Sequence, residues 1–282
     1  MRLSRALVSR ALAVFAALPG LILAGSAHAD APRPWQVGLQ QPATVVMEHI
    51  NSFHNELLFI ITAISIFVLA LLIYVILRFN QRAHPVPSRT THNSVVEVAW
   101  TVIPILILLS IVVPSFKLLY FQAQIPKSDM TLKVTGQTWA WTYDYPDSGD
   151  LTVQANVVDD KDLKPGQLRL LTTDDWPRVP VGAVVRVQIT SNDVIHSWSI
   201  PSFGIKTDAV PGRLNETWFK VEQPGTYYGE CSQLCGNGHG FMPIMVQAVS
   251  KADFDSWLVQ EKKKAEADHA PAATQLAQNP TN

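Results

Sequence analysis

The chain has 282 residues and a formal net charge of -1, a balance that excludes a nucleic-acid binder held by bulk charge. Hydrophobic residues make up 48% of it, and the excess lies in three blocks within the first 121 residues. The stretch from about 130 to 250 is then long enough to bury one ordinary domain core, so composition points to one soluble domain on a membrane anchor.

The first block, Ala11 to Leu23, follows Arg2, Arg5 and Arg10 and ends in Ala27-His28-Ala29 before Asp30. Basic residues, a short apolar run and a small-x-small end are the grammar of a secretory signal peptide, residues 1–29. The run is short for a membrane span, and Pro19-Gly20 interrupts it. Cleavage after Ala29 leaves Asp30 first in the mature chain and residues 30–56 as a periplasmic N-terminal segment.

The second block, Leu57 to Leu77, is uncharged and long enough to cross a bilayer core of about 30 Å at about 1.5 Å per residue. The third predicts a second membrane helix over 95–120, with Pro104 and Pro114 inside, which membrane helices tolerate. The connector 78–94 carries Arg78, Arg82 and Arg89 and no acid, whereas residues 30–56 carry one basic residue, Arg33. The positive-inside rule therefore puts the connector in the cytoplasm and both flanks in the periplasm.

From 121 to 258 the pattern predicts an exported all-β domain. Trp139, Trp141, Tyr143 and Tyr145 alternate with period two, which puts four aromatics on one strand face, and Val184 to Thr190 alternates likewise. Turn signals at Pro146, Pro165-Gly166, Pro177, Pro180, Pro211-Gly212 and Pro224-Gly225 divide the domain into short strands, as in a sandwich or barrel. Residues 259–282 offer little to bury and predict a short helix end followed by a flexible tail.

The chemistry is concentrated in Cys231-Ser232-Gln233-Leu234-Cys235-Gly236-Asn237-Gly238-His239-Gly240-Phe241-Met242, with His196 upstream between two β-like segments. Thiolate, imidazole and thioether donors form a soft set that selects copper over magnesium or calcium. Gly236, Gly238 and Gly240 permit a tight backbone. A mononuclear blue-copper site uses one Cys, so the second Cys fits two coppers sharing both thiolates. In that arrangement each copper is completed by one His and one weak ligand: Met242 for one, and a loop carbonyl such as that of Gln233 for the other. Two readings compete. One is a disulfide between these two cysteines, the default outside the cytoplasm. The other is zinc on two Cys and two His, which leaves Met242 without a part.

Residues from about 45 to 258 resemble subunit II of cytochrome c oxidase. Beyond the Cys loop, the resemblance is carried by Val96-Glu97-Val98-Ala99-Trp100-Thr101-Val102-Ile103-Pro104, Gly136-Gln137-Thr138-Trp139-Ala140-Trp141, His196-Ser197-Trp198 and Lys206-Thr207-Asp208-Ala209-Val210-Pro211-Gly212-Arg213. It implies a two-helix membrane hairpin followed by a cupredoxin-like, Greek-key domain in the periplasm of a bacterium, anchored in the inner membrane. It also implies a dinuclear copper centre, CuA, on His196, Cys231, Cys235, His239, Met242 and the main-chain carbonyl of Gln233. The implied route takes electrons from cytochrome c through Trp139 to the copper pair and on to haem a in subunit I. There oxygen is reduced to water at the haem-copper centre, with proton pumping. Subunit III and copper-delivery chaperones are further implied partners. Glu97 falls where the family places the mouth of a proton path; an acid capping a helix end is the plainer reading. Trp139 has its own plain reading, a core aromatic.

The family's magnesium or manganese site at the subunit I interface uses a glutamate where this chain has Gln233. A neutral amide oxygen is a poorer ligand for a hard cation, so that ion is a weaker expectation. Nine Asp (129, 144, 147, 150, 159, 160, 162, 174 and 175) against Lys133, Lys161, Lys164 and Arg169 would steer a basic partner, although any one of them also suits an ordinary turn. A quinol-oxidase relative would lack the copper ligands, and a form with a fused cytochrome would need a Cys-x-x-Cys-His motif that this chain does not have. A nitrous oxide reductase would need a second copper domain. A tethered copper carrier would share the soft ligands but not Glu97, Trp139 or the stretch Lys206 to Arg213.

Overall fold

A computed structural model describes residues 30–277 apart from Pro87 and Asp150, with side chains up to Lys264. The expected signal peptide, 1–29, and the last tail residues, 278–282, lie outside the described residues, as does one of the nine acids, Asp150.

Two long helices come first, α1 (Val45–Arg78) and α2 (Ser94–Ala123). Both are long and apolar enough to cross a membrane. Their apolar windows are not buried against the rest of the protein, which sets them apart from core helices of a soluble domain. Prolines 104 and 114 sit inside α2 as expected. The first helix departs from the expected span of 57–77 by beginning at Val45. The reason is local: Thr44 caps it, its hydroxyl oxygen accepting from Met47 N at 3.1 Å and donating to Phe203 O at 2.8 Å. Val46 and Met47 are then buried against the β-domain. Residues 45–56 are therefore helical rather than a separate segment. At about 1.5 Å per residue, α1 exceeds the bilayer core and carries its first turns out to the domain.

The domain is a sandwich of two five-stranded sheets. One sheet has the order β3 (Leu151–Ala155), β2 (Ala140–Tyr145), β1 (Met130–Gln137), β5 (Val184–Ser191), β8 (Asn215–Lys220). The other has the order β4 (Arg178–Pro180), β10 (Pro243–Val249), β9 (Gly225–Cys231), β6 (His196–Ile200), β7 (Ile205–Ala209). Alternation builds the core: Val185, Val187 and Ile189 of β5 point inward and are fully buried, meeting Trp198 and Ile200 of β6 from the facing sheet.

The aromatic run is shorter than its alternation suggests. Trp141, Tyr143 and Tyr145 share the buried face of β2, but Trp139 lies in the turn between β1 and β2 and is 40% exposed. Gln137 pairs directly with Ala140, so the hairpin turns at Thr138-Trp139.

The C-terminal region also departs from expectation. Helix α3 spans Lys251–Ala277 where a tail was expected from residue 259. Its first turns have a hydrophobic anchor: Phe254 and Trp257 are buried, Trp257 packs edge-on to Tyr145 at 5.5 Å, and Arg178 rides over its ring at 5.4 Å. Lys264 lies 3.9 Å from Asp175.

Candidate metal centre

The topology brings the Cys loop and His196 to one end of the second sheet. Residues 231–242 connect the neighbouring antiparallel strands β9 and β10, with Cys231 closing the first and Met242 just ahead of the second. Strand β6 runs antiparallel to β9, with Trp198 opposite Cys231, so the start of β6 lies beside the end of β9. The result places ligand atoms of His196, Cys231 and Cys235 all within 4.8 Å of one another, and all three residues are buried.

The two thiols are free, with their sulfurs 3.8 Å apart. Cys231 Sγ lies 3.3 Å from the carbonyl of Gln233, and Cys235 Sγ lies 3.6 Å from His239 Nδ1. Met242 is buried, and its carbonyl accepts from Cys231 N at 3.1 Å. Burial, reinforced by the neighbouring Cys231, pushes the Cys235 thiol up to about 12. The Cys235 thiol thus keeps its proton unless a cation displaces it.

His196 is fully buried, and its Nε2 lies 2.8 Å from Asp193 Oδ1. Burial works to raise the pKa of Asp193, but hydrogen bonds from His196, Thr138 and Val194 outweigh it and hold the carboxyl well below the usual range. Asp193 is therefore ionised and acceptor-only, so Nε2 carries the hydrogen and Nδ1 keeps a free lone pair. That Nδ1 is buried and has no hydrogen-bond partner among the described residues. A buried imidazole nitrogen with an unused lone pair beside two free thiols fits a soft metal ion, copper above all.

Asp193 escaped the sequence reading; it looks like one more turn acid, and the only available signal was its place three residues before a candidate ligand. It also ties the site to the β1–β2 turn, its Oδ2 accepting from Thr138 N at 2.6 Å and from Thr138 Oγ1 at 2.8 Å. That turn carries Trp139 onto the Cys loop, where its Nε1 donates to Cys235 O at 3.1 Å. Two glycines make the close approach possible. A Cβ on Gly238 would fall 2.2 Å from Trp139 Cδ2, and one on Gly136 would fall 2.9 Å from His196 Cδ2. The loop glycine is therefore needed for the indole lying on it as well as for the backbone.

Glu97 lies apart from this centre. It sits in the first turn of α2, and its Oε1 accepts from Asn93 N at 3.1 Å while Asn93 Oδ1 accepts from Val96 N at 3.2 Å, a reciprocal helix cap. Several of the acids between 129 and 175 are likewise occupied locally. Asp129 accepts from Val184 N, Asp174 from Asn156 N, Asp144 pairs with Lys133 and Asp160 with Arg169.

Comparison with known proteins yields two family matches. The model for "Cytochrome C oxidase subunit II, periplasmic domain" matches residues 130–249, and the one for the transmembrane domain of the same subunit matches residues 32–118. A probable cytochrome c oxidase subunit 2 of Rickettsia bellii is 50% identical over 249 residues, 88% of this chain and 93% of that protein. The cytochrome c oxidase subunit 2 of Arabidopsis thaliana is 43% identical over 81% of this chain and 90% of its own length. A crystal structure of the periplasmic domain of subunit II of cytochrome oxidase from Bradyrhizobium japonicum is 48% identical; it covers 50% of this chain and 99% of that one, with a TM-score of 0.47.

Proposed function

The chain belongs to the cytochrome c oxidase subunit II family, and from that membership we propose that it is the subunit through which electrons reach the oxidase. It takes them from a reduced cytochrome c and passes them to haem a of subunit I, where oxygen is reduced to water with proton pumping. The chain is set in a bacterial inner membrane beside subunits I and III, with its C-terminal domain in the periplasm. Copper-delivery chaperones would load it.

Cys231 and Cys235 would be shared between two copper ions, with His196, His239, Met242 and the carbonyl of Gln233 completing the set. Once bound, the copper pair supplies a reversible one-electron carrier. The observation that carries this reading is the buried Nδ1 of His196, without a hydrogen-bond partner among the described residues, beside two free buried thiols.

The chain's own groups have separable tasks. Asp193 fixes the tautomer and direction of the His196 ring. Trp139 is partly exposed to a docked donor and makes a hydrogen bond to the main chain of Cys235, a short route inward. Glu97 would stand at the mouth of the proton path, with the helix-cap role as a second reading favoured by its bond to Asn93. Gln233 is exposed on the rim, so a magnesium or manganese ion at the subunit I face would meet a neutral amide there.

Copper loading of the full chain tests the assignment. The expected product is purple and mixed-valence, with two coppers per chain sharing one unpaired electron. A single exchangeable, colourless Cu(I) would instead mark a copper carrier. Cys231→Ser and Cys235→Ser should each abolish the centre, because a hydroxyl does not replace a shared thiolate. A two-copper spectrum surviving either change would overturn the shared-sulfur arrangement.

A further inference from the structure

The N-terminal strap of the described chain has a site that the electron path does not use. Asp30 pairs with Tyr227 at the edge of the domain, its N–H donating to Thr226 O at 3.2 Å. It is 6% exposed, and its Oδ2 is buried with no hydrogen-bond partner among the described residues. The carboxyl lines a cavity of about 310 Å³ together with Arg33, Gln41, Glu48, Glu222 and Tyr227. Three carboxylates thus face one guanidinium, and Arg33 lies within 4 Å of none of them, no such ion pair occurring among the described residues. Glu222 pairs with Lys220 at 3.3 Å, whereas Asp30 and Glu48 have no ion-pair partner within 4 Å among the described residues. Burial raises the pKa of Asp30, against the pull of Arg33 and the N–H of Gln41. A half-satisfied buried acid in an acid-lined cavity calls for a small cation with hydrogen-bond donors.

A bare metal ion fits poorly. Among the described residues, only His196, Cys231 and Cys235 bring ligand atoms close enough together to share one. The chain itself supplies a better cation. The signal-peptide pattern puts cleavage between Ala29 and Asp30. Hydrolysis there breaks the amide bond: water gives its hydroxyl to the Ala29 carbonyl, which leaves as a carboxylate, and the Asp30 nitrogen ends with three hydrogens and a positive charge. We propose that this cavity is the seat of the chain's own processed N-terminus, the α-ammonium of Asp30 held by Thr226 O and the carboxylates of Asp30, Glu48 and Glu222.

The seat has a structural consequence. Residues 30–44 continue from it to Ala43, whose N donates to Ser202 O and whose carbonyl accepts from Glu222 N, and to Thr44, the cap of α1. A charged anchor at Asp30 closes this strap at its free end and holds the start of α1 against the exported domain. The inference rests on the signal-peptide reading, and the test separates the two.

The assembled oxidase would be purified from membranes and treated in its native state with limiting acetic anhydride. Mass spectrometry of the N-terminal peptide then reads both its first residue and its acetylation. The expected peptide begins at Asp30. Its α-amine should react roughly tenfold more slowly than in the denatured protein, because an ammonium held by carboxylates keeps its proton. Glu48→Gln combined with Glu222→Gln should raise the native rate severalfold at unchanged copper content. A peptide beginning elsewhere overturns the processing premise. One that begins at Asp30 but reacts at the denatured rate overturns the seat. Protection that survives both glutamine changes shows that a neighbouring subunit shields the amine, and overturns it equally.

Discussion

The two histidines of the proposed copper centre stand in opposite surroundings. His196 opens a central strand, is fully buried, and is clamped through Nε2 by an ionised Asp193. His239 sits in a short helical turn of the Cys loop, half-exposed, with its Nδ1 3.6 Å from the Cys235 sulfur. One half of the site is built before metal arrives, and the other is completed by it. In the proposed centre a buried, clamped inner half would fix where copper goes, whereas a half-exposed outer half would leave a way in for it.

The largest effect that can break this contrast comes from removing each ring in turn. His196→Gly and His239→Gly should both lose the two-copper spectrum. Added imidazole should restore it in His239→Gly, whose vacated position is open to solvent. In His196→Gly the space is sealed by Trp141 and Gly136, and rescue should fail. Equal rescue, followed by the visible absorption of the copper-loaded chain, would show that the inner half is as mobile as the outer.

Next in size is Asp193→Asn. The amide keeps the shape but loses the charge that fixes the His196 tautomer, and it places donor hydrogens near Thr138 N. Copper affinity should fall about 10–100-fold, the usual cost of removing such a supporting carboxylate. A chelator competition titration reads it. His239 has no carboxylate partner among the described residues, so no change to a supporting, non-ligand residue on that side should weaken the centre as much.

How much of this was legible beforehand differs by region. Periodicity and charge identified the membrane hairpin, because lipid imposes a long, uncharged run that little else produces. They missed the start of α1, because residues 45–56 are held by a Thr44 cap and by packing of Val46 and Met47 on the domain rather than by lipid. The ligand loop was legible because soft donors at close spacing are rare, and Cys231, Cys235 and His196 do converge. Asp193 was not, because its role exists only once β6 and the β1–β2 turn meet. Trp139 was put on the wrong surface for a related reason. Thr138-Trp139 lacks the Gly or Asn that announces a two-residue turn, so the alternation read straight through it.

That misplacement leads to the smallest change that still sharpens the contrast. Trp139 lies on the outer half, its indole covering Gly238 and its Nε1 bonded to Cys235 O. Trp139→Ala should slow electron transfer from cytochrome c while leaving copper content intact, because the indole bonds to the Cys235 main chain and not to a proposed ligand atom. Gly238→Ala is subtler. Its new methyl would overlap the indole, so either the ring swings away or the loop shifts, at about 1–3 kcal/mol of folding stability. If the loop is the softer partner, copper binding changes and Trp139 keeps its fluorescence environment. If the inner half holds the loop through Cys231 and Ser232, whose N–H donates to Ser197 O at 3.1 Å, the ring must move instead. The built-in rigidity of the β6 side favours the second outcome: altered tryptophan fluorescence, slower electron transfer and an unchanged copper spectrum. A perturbed copper spectrum with normal electron transfer would mean that the loop yields first and that the inner clamp does not extend past His196.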